Sequence, residues 1–258
     1  MANSISAATD LEDSGRMTIW GLIIGGTAGL AVGGPIGALL GATAGLVAEQ
    51  QIRRRTDPDQ ARKVAFTVAV IALSAKMAKA DGMVTRAEID AFRSRVDIPQ
   101  KDIERVGEFW DLARQTPEGF TAYARQTVDL FGPRSAILEQ LLDLLFTIAR
   151  ADGDVTAREW AYLSEVAAIF GYDETAFKRL SDIYSGAHPP PHLVLGIAPD
   201  ASLDEAKAAW KALARTHHPD QLIAAGMPEE FISAATDRLA EINNAYQTLA
   251  RQIQSRTA

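Results

Sequence analysis

The residues best suited to chemistry lie near the C-terminus, in the run His217-His218-Pro219-Asp220. Two adjacent imidazoles and a carboxylate are groups that acid–base catalysis or a metal site would use. Neighbouring residues on a helix do not face the same way, however, and no HExxH, GxSxG or P-loop pattern occurs in the chain. We therefore predict that the chain is not an enzyme, and no cofactor or metal is predicted.

Three basic residues precede this run at steps of four, namely Lys207, Lys211 and Arg215. A helix places them along one face, which makes a basic stripe in a chain whose net charge is −7. Ser202 and Glu205 have the spacing of a capping box and predict where this helix begins. The helix ends before the tripeptide, because proline disfavours helical geometry in the residue before it.

A second amphipathic helix is predicted from about Pro228, a good first-turn residue, to about Gln252. The two helices should pack as a hairpin, joined by a loop that begins with the tripeptide. The apolar face of the second helix consists of Phe231, Ala235, Leu239, Ile242, Tyr246 and Leu249.

This C-terminal region resembles the J domain, through which DnaJ-type co-chaperones act on DnaK-class ATPases. The resemblance implies that His218-Pro219-Asp220 triggers hydrolysis by the partner, while the basic stripe docks on an acidic surface of that partner. The other matching residues are Leu195-Gly196-Ile197, Ala201-Ser202, Trp210, Leu213-Ala214, Ile242, Ala245-Tyr246 and Leu249. His192, Trp210 and His217 stand where the family pattern usually has a tyrosine, and Gln221 replaces the lysine that commonly follows the tripeptide. Ala208 and Ala212 thin the usual basic face, so a weaker electrostatic attraction to the partner is expected.

A helical region with an internal repeat precedes the hairpin, and its apolar residues recur at steps of three and four. Residues 80–85, followed by Glu88, match residues 151–156, followed by Glu159. In each copy a glycine can end one helix and a Thr…Glu capping box can open the next. The alternative is a metal loop that uses these carboxylates, although neither copy has the ligand spacing of an EF-hand. The acidic residues in question are Asp81, Glu88, Asp152, Asp154 and Glu159. The repeat resembles the TerB-like helical domain of tellurite resistance.

The N-terminal region contains no ionisable side chain from Met17 to Ala48, which is longer than the roughly 20 residues that span a bilayer. Glycines recur there at every fourth position and predict close helix–helix packing, as in a homodimer. They are Gly21, Gly25, Gly29, Gly33, Gly37, Gly41 and Gly45. A single tilted span, or one kinked at Gly33-Gly34-Pro35, is favoured, and a hairpin turned there is the alternative. Arg53-Arg54-Arg55 follows the span, so the positive-inside rule places the C-terminal side in the cytoplasm and the N-terminus in the periplasm.

The composition excludes several classes of protein. The chain has 258 residues, with 33 acidic and 26 basic side chains, which argues against a general nucleic-acid binder. It has no cysteine, so disulfides, thiolate nucleophiles and cysteine-ligated zinc are excluded. The zinc-finger module of full-length DnaJ is excluded on the same ground.

Together these features predict an all-α chain that resembles the membrane-anchored DjlA type of DnaJ-like protein. The implied function is a bacterial inner-membrane co-chaperone that stimulates ATP hydrolysis by a DnaK-class chaperone and recruits it to the membrane. A stress-related metal- or ligand-binding TerB-like protein with a degenerate J domain is the alternative. The predicted segments are an N-terminal tail (1–16), a transmembrane segment (17–48), a basic linker (49–59), a TerB-like domain (60–182), a proline-rich linker (183–191) and a J domain (192–258).

Overall fold

The computed structural model describes residues 18–24, 33–43, 57–81, 86–115, 119–185 and 189–257. Every regular element within these ranges is a helix, which confirms the prediction of an all-α fold.

The predicted membrane span is described in two parts, helices α1 (Ile19–Ile24) and α2 (Gly34–Thr43). A single long glycine-rich helix is therefore not confirmed. Helix α2 begins at Gly34, whose φ is +71°, and the next residue is proline, which cannot continue a preceding helix. None of the helices in the described ranges combines the length and hydropathy that a membrane crossing needs. Trp20 and Leu40 are fully buried, and α1 and α2 pack against the helices that follow.

The middle bundle is built around helix α3 (Pro58–Asp81). Residues 64–75 of this helix are all buried, because its side chains are apolar on nearly every face. Six helices follow it: α4 Arg86–Arg95, α5 Ile103–Gln115, α6 Phe120–Phe131, α7 Ala136–Ala149, α8 Ala157–Ile169 and α9 Glu174–Ser185. Helices α5, α6, α7 and α8 pack around α3, and α4 packs on α7. A short 3-10 helix (Gln100–Asp102) precedes α5.

The second copy of the repeated corner forms the turn from α7 to α8. Thr156 Oγ1 accepts from the Glu159 backbone N–H at 3.2 Å, and the Thr156 N–H donates to Glu159 Oε2 at 2.8 Å. This is the capping box predicted from the spacing. Gly153 has a φ of +146°, which favours glycine at this corner. In the first copy, residues 82–85 lie outside the described residues.

The C-terminal unit consists of four helices, α10 Pro191–Leu195, α11 Leu203–Thr216, α12 Pro219–Ala224 and α13 Ile232–Thr257, with a 3-10 turn at Glu229–Phe231 before α13. Its core is formed by a few side chains of α10, α11 and α13, among them Leu195, Ala206 and Ile242. Trp210 stacks on Tyr246 with ring centroids 4.7 Å apart, and its Nε1 donates to Asn243 Oδ1 at 2.7 Å. The predicted hairpin is therefore present, with a short helix added in its loop.

Candidate functional site

The tripeptide lies at the junction of α11 and α12. Pro219 is the first residue of α12, where its missing N–H costs no hydrogen bond, and His218 is extended with φ −64° and ψ 133°. The Asp220 backbone N–H donates to His218 Nδ1 at 3.3 Å, and Asp220 Oδ2 lies 3.6 Å from the same nitrogen. The side chains of His218 and Asp220 are 49% and 83% exposed. The local hydrogen bonds thus fix the shape of the turn and leave its polar groups open to a partner.

The basic stripe lies on the solvent side of α11. Lys207, Lys211 and Arg215 are all exposed. Helix α11 begins as predicted, because Ser202 Oγ accepts from the Glu205 N–H at 3.3 Å and the Ser202 N–H donates to Glu205 Oε2 at 2.8 Å. None of the three cations forms an ion pair within the described part of the chain, so their charge is available for an acidic partner.

His217, which precedes the tripeptide, has a very different environment from His218. Its side chain is 2% exposed, and its Nε2 lies 3.7 Å from Glu139 Oε2 on α7 of the middle bundle. Burial lowers the pKa of His217 below its ordinary value of 6.5, with Glu139 acting against this shift and Arg238 reinforcing it. The neutral form is therefore favoured near pH 7.

Arg238 on α13 completes this buried contact between the C-terminal unit and the middle bundle. Its side chain is 3% exposed; Nη2 lies 3.3 Å from Glu139 Oε1, and Nη1 lies 2.6 Å from Glu241 Oε2. Glu139 thus faces both His217 and Arg238. A buried guanidinium is stable only when it is paired. Through Arg238 and His217, Glu139 therefore holds the N-terminal part of α13 and the C-terminal end of α11 against the middle bundle.

Apolar contacts secure the loop that follows the tripeptide. Phe231 packs edge-on against Phe66 of α3, with centroids 5.1 Å apart, and Leu222 and Met227 join the core of the middle bundle. Gly226 has a φ of +111°, and a Cβ there would lie 3.0 Å from Arg62 Cβ and 3.2 Å from a Phe131 ring carbon. Glycine is required at this point of close approach. This docking was not predicted, although the apolar Leu222 and Met227 in a loop are a signal that could have indicated it.

The glycine stripe is only partly described. Gly21 lies on α1, Gly33 precedes α2, and Gly37 and Gly41 lie on α2, whereas Gly25, Gly29 and Gly45 lie outside the described residues. Among the described residues, no atom lies within 4 Å of a Cβ added at Gly33 or Gly41.

The acidic corners do not converge on a common point in the described part of the chain. Asp152 and Asp154 are exposed, while Glu159 is 3% exposed and serves as the cap of α8. Glu88 is also buried, on α4. Within the described ranges no group of three His, Asp or Glu side chains is arranged to hold a metal ion. The side chain of Asp81 lies outside the described set.

Comparison with known proteins assigns the three regions in order. Family models match residues 17–55 (Co-chaperone DjlA transmembrane domain), 67–182 (Tellurite resistance protein TerB) and 191–257 (DnaJ domain). The helices around the tripeptide thus define a J-domain protein. The chain thus has the three regions of the DjlA type in the same order, which confirms the resemblance predicted from the sequence.

Curated relatives agree with this assignment. The Co-chaperone protein DjlA of Vibrio cholerae is 26% identical over 229 residues, which cover 76% of this chain and 81% of the relative. That of Legionella pneumophila is 22% identical over 282 residues, with 90% and 95% covered. That of Photobacterium profundum is 26% identical over 277 residues, with 91% and 99% covered. No solved structure gives a significant match.

Proposed function

We propose that this protein is a membrane-anchored co-chaperone that stimulates ATP hydrolysis by a DnaK-class chaperone. The observation that carries the proposal is the tripeptide His218-Pro219-Asp220, exposed at the start of α12 beside the basic stripe of α11. The family match and the names of the relatives support the same function. The chemistry of hydrolysis belongs to the partner, and this chain regulates it.

The two parts of the site have different roles in this proposal. Lys207, Lys211 and Arg215 meet an acidic surface of the partner, and their charges accelerate the encounter more than they add to affinity. The tripeptide then acts at close range as the trigger. Its shape is fixed before binding by the hydrogen bond between Asp220 and His218, so little conformational entropy is lost when the partner engages it.

The N-terminal region supplies the anchor in this proposal. The match of residues 17–55 to a transmembrane domain supports insertion, and Arg53-Arg54-Arg55 supports a cytoplasmic middle bundle and C-terminal unit. The protein thereby recruits the DnaK-class partner to the bacterial inner membrane. The glycine stripe, with its spacing of four residues, supports association of two copies. Cleavage of residues 57–257 by a protease added to the periplasmic side would refute the orientation.

The deciding experiment is steady-state ATP turnover by a DnaK protein, with the full chain in lipid vesicles added. His218→Gln retains a polar side chain at an exposed turn, so helicity and melting temperature should stay near those of the parent. Stimulation should fall to the unstimulated rate. His192→Gln, a half-buried position on α10 outside the tripeptide, is the matched control and should stimulate like the parent. Full stimulation by the His218→Gln protein would rule out the co-chaperone proposal.

A further inference from the structure

A groove of about 410 Å³ lies where the C-terminal unit meets the middle bundle. The middle bundle contributes Leu130, Phe131 and Ile137, and the C-terminal unit contributes Leu222 and Ala225. Its volume is within the range of about 300–1,000 Å³ that is usual for ligand sites. The groove exists only because α12 is docked on the middle bundle, so neither region forms it alone.

Two arginines line the groove beside this apolar surface. Arg62 belongs to α3 and Arg215 to α11, so one comes from each side of the groove. Both are exposed, and neither makes an ion pair within the described part of the chain. Two uncompensated guanidinium groups beside an apolar surface complement a ligand that has both carboxylates and apolar groups.

We propose that this groove binds an extended peptide segment in which acidic residues alternate with apolar ones. The apolar side chains occupy the surface formed by Leu130, Phe131 and Ala225, and the carboxylates pair with Arg62 and Arg215. Gln221 also lines the groove and directly follows Asp220 of the tripeptide. A segment bound here therefore lies beside the site proposed for the DnaK-class partner. This is a second binding site, distinct from the tripeptide and its trigger function, and it shares Arg215 with the basic stripe.

The test measures binding of a fluorescein-labelled, amidated peptide, Ala-Leu-Glu-Leu-Glu-Leu-Ala, to the full chain by fluorescence anisotropy. The same peptide with Gln in place of Glu should bind about fivefold more weakly at low salt, as expected for the loss of two exposed ion pairs. Arg62→Gln with Arg215→Gln should produce a similar loss. Arg105→Gln, an exposed arginine on α5 outside the groove, is the matched control and should leave the affinity unchanged.

A second variant fills the groove without removing a charge. Ala225 is exposed and has right-handed helical geometry with φ −79°, so Ala225→Trp is compatible with the backbone. It should abolish peptide binding and leave ATPase stimulation at the parent level, which separates this proposal from the function of the tripeptide. Equal binding of the Glu and Gln peptides, or unchanged binding by either groove variant, would overturn the proposal. Binding of vesicles with anionic headgroups in place of the peptide, abolished by the same variants, would also overturn it.

Discussion

The partly buried carboxylate of Glu139 allows a sharp test of how the C-terminal unit is held against the middle bundle. Glu139→Gln keeps the shape of the side chain and removes the charge that faces both His217 and Arg238. The side chains of Glu139 and Arg238 are 16% and 3% exposed, so solvent screens their interaction only weakly. We expect the substitution to destabilise the protein by loosening this contact rather than by disturbing either core.

The size of the effect follows from what remains around Arg238. Removing the sole partner of a buried charge costs about 3–5 kcal/mol, but Arg238 keeps Glu241 at 2.6 Å. The new amide oxygen also accepts a hydrogen bond, so the loss should be nearer the roughly 1.5 kcal/mol of one charge-assisted bond. For a chain of this size, each kcal/mol lowers the melting temperature by about 2–4 °C.

The melting temperature and the rates of amide hydrogen exchange together test this prediction. The melting temperature should fall by about 3–6 °C. Amide exchange should accelerate in α12 and at the start of α13, and should stay slow around Trp210 and Tyr246, whose packing is internal to the C-terminal unit. Glu108→Gln, an exposed acid on α5, is the matched control and should change neither quantity. The reasoning is refuted if Glu139→Gln leaves both the melting temperature and the exchange of α12 unchanged.

Three further predictions concern pH, charge and association. The unfolded chain protonates His217 below about pH 6.5, whereas the buried side chain, with its lowered pKa, does not, so stability should fall as the pH drops through that value. In His217→Gln the slope of unfolding free energy against pH should be flatter, by up to about 1.36 kcal/mol per pH unit. Denaturant melts of both proteins between neutral and acidic pH measure the difference, and parallel slopes would contradict the assignment. Lys207→Glu with Lys211→Glu should raise the concentration needed for half-maximal ATPase stimulation and reduce its salt dependence, while Lys101→Glu should do neither. Gly41→Leu should weaken cross-linking of two copies in vesicles, because leucine holds the helix backbones apart, and Ala38→Leu, an exposed position off the stripe, should not.

The candidate site was largely predictable because its determinants are local. Proline at position 219 ends one helix and begins the next in any context, and the Ser202–Glu205 box opens α11 through hydrogen bonds within three residues. The same holds for Thr156 and Glu159 at the repeated corner. These features depend on neighbours along the chain, so the sequence alone places them.

The predicted span over 17–48, with a kink or a turn expected at Gly33-Gly34-Pro35, shows what a hydrophobic pattern leaves undecided. A long run without ionisable side chains indicates that the segment is removed from water. It does not tell whether lipid or protein covers the segment, or where a helix within it is interrupted. The described part has a helix start at Gly34, where a positive φ and the following proline outweigh the helical periodicity of the glycines.

The sequence by itself determined that this protein is helical, that a tripeptide joins two amphipathic helices, and that a basic stripe precedes it. These properties follow from periodicity, capping and proline geometry, which act over a few residues. Only the tertiary structure decided that His217 is buried while His218 is exposed, because burial depends on Glu139 and Arg238, which lie far from these histidines along the chain. It also created the groove between Arg62 and Arg215, since two surfaces distant in sequence must dock before their charges face a common space.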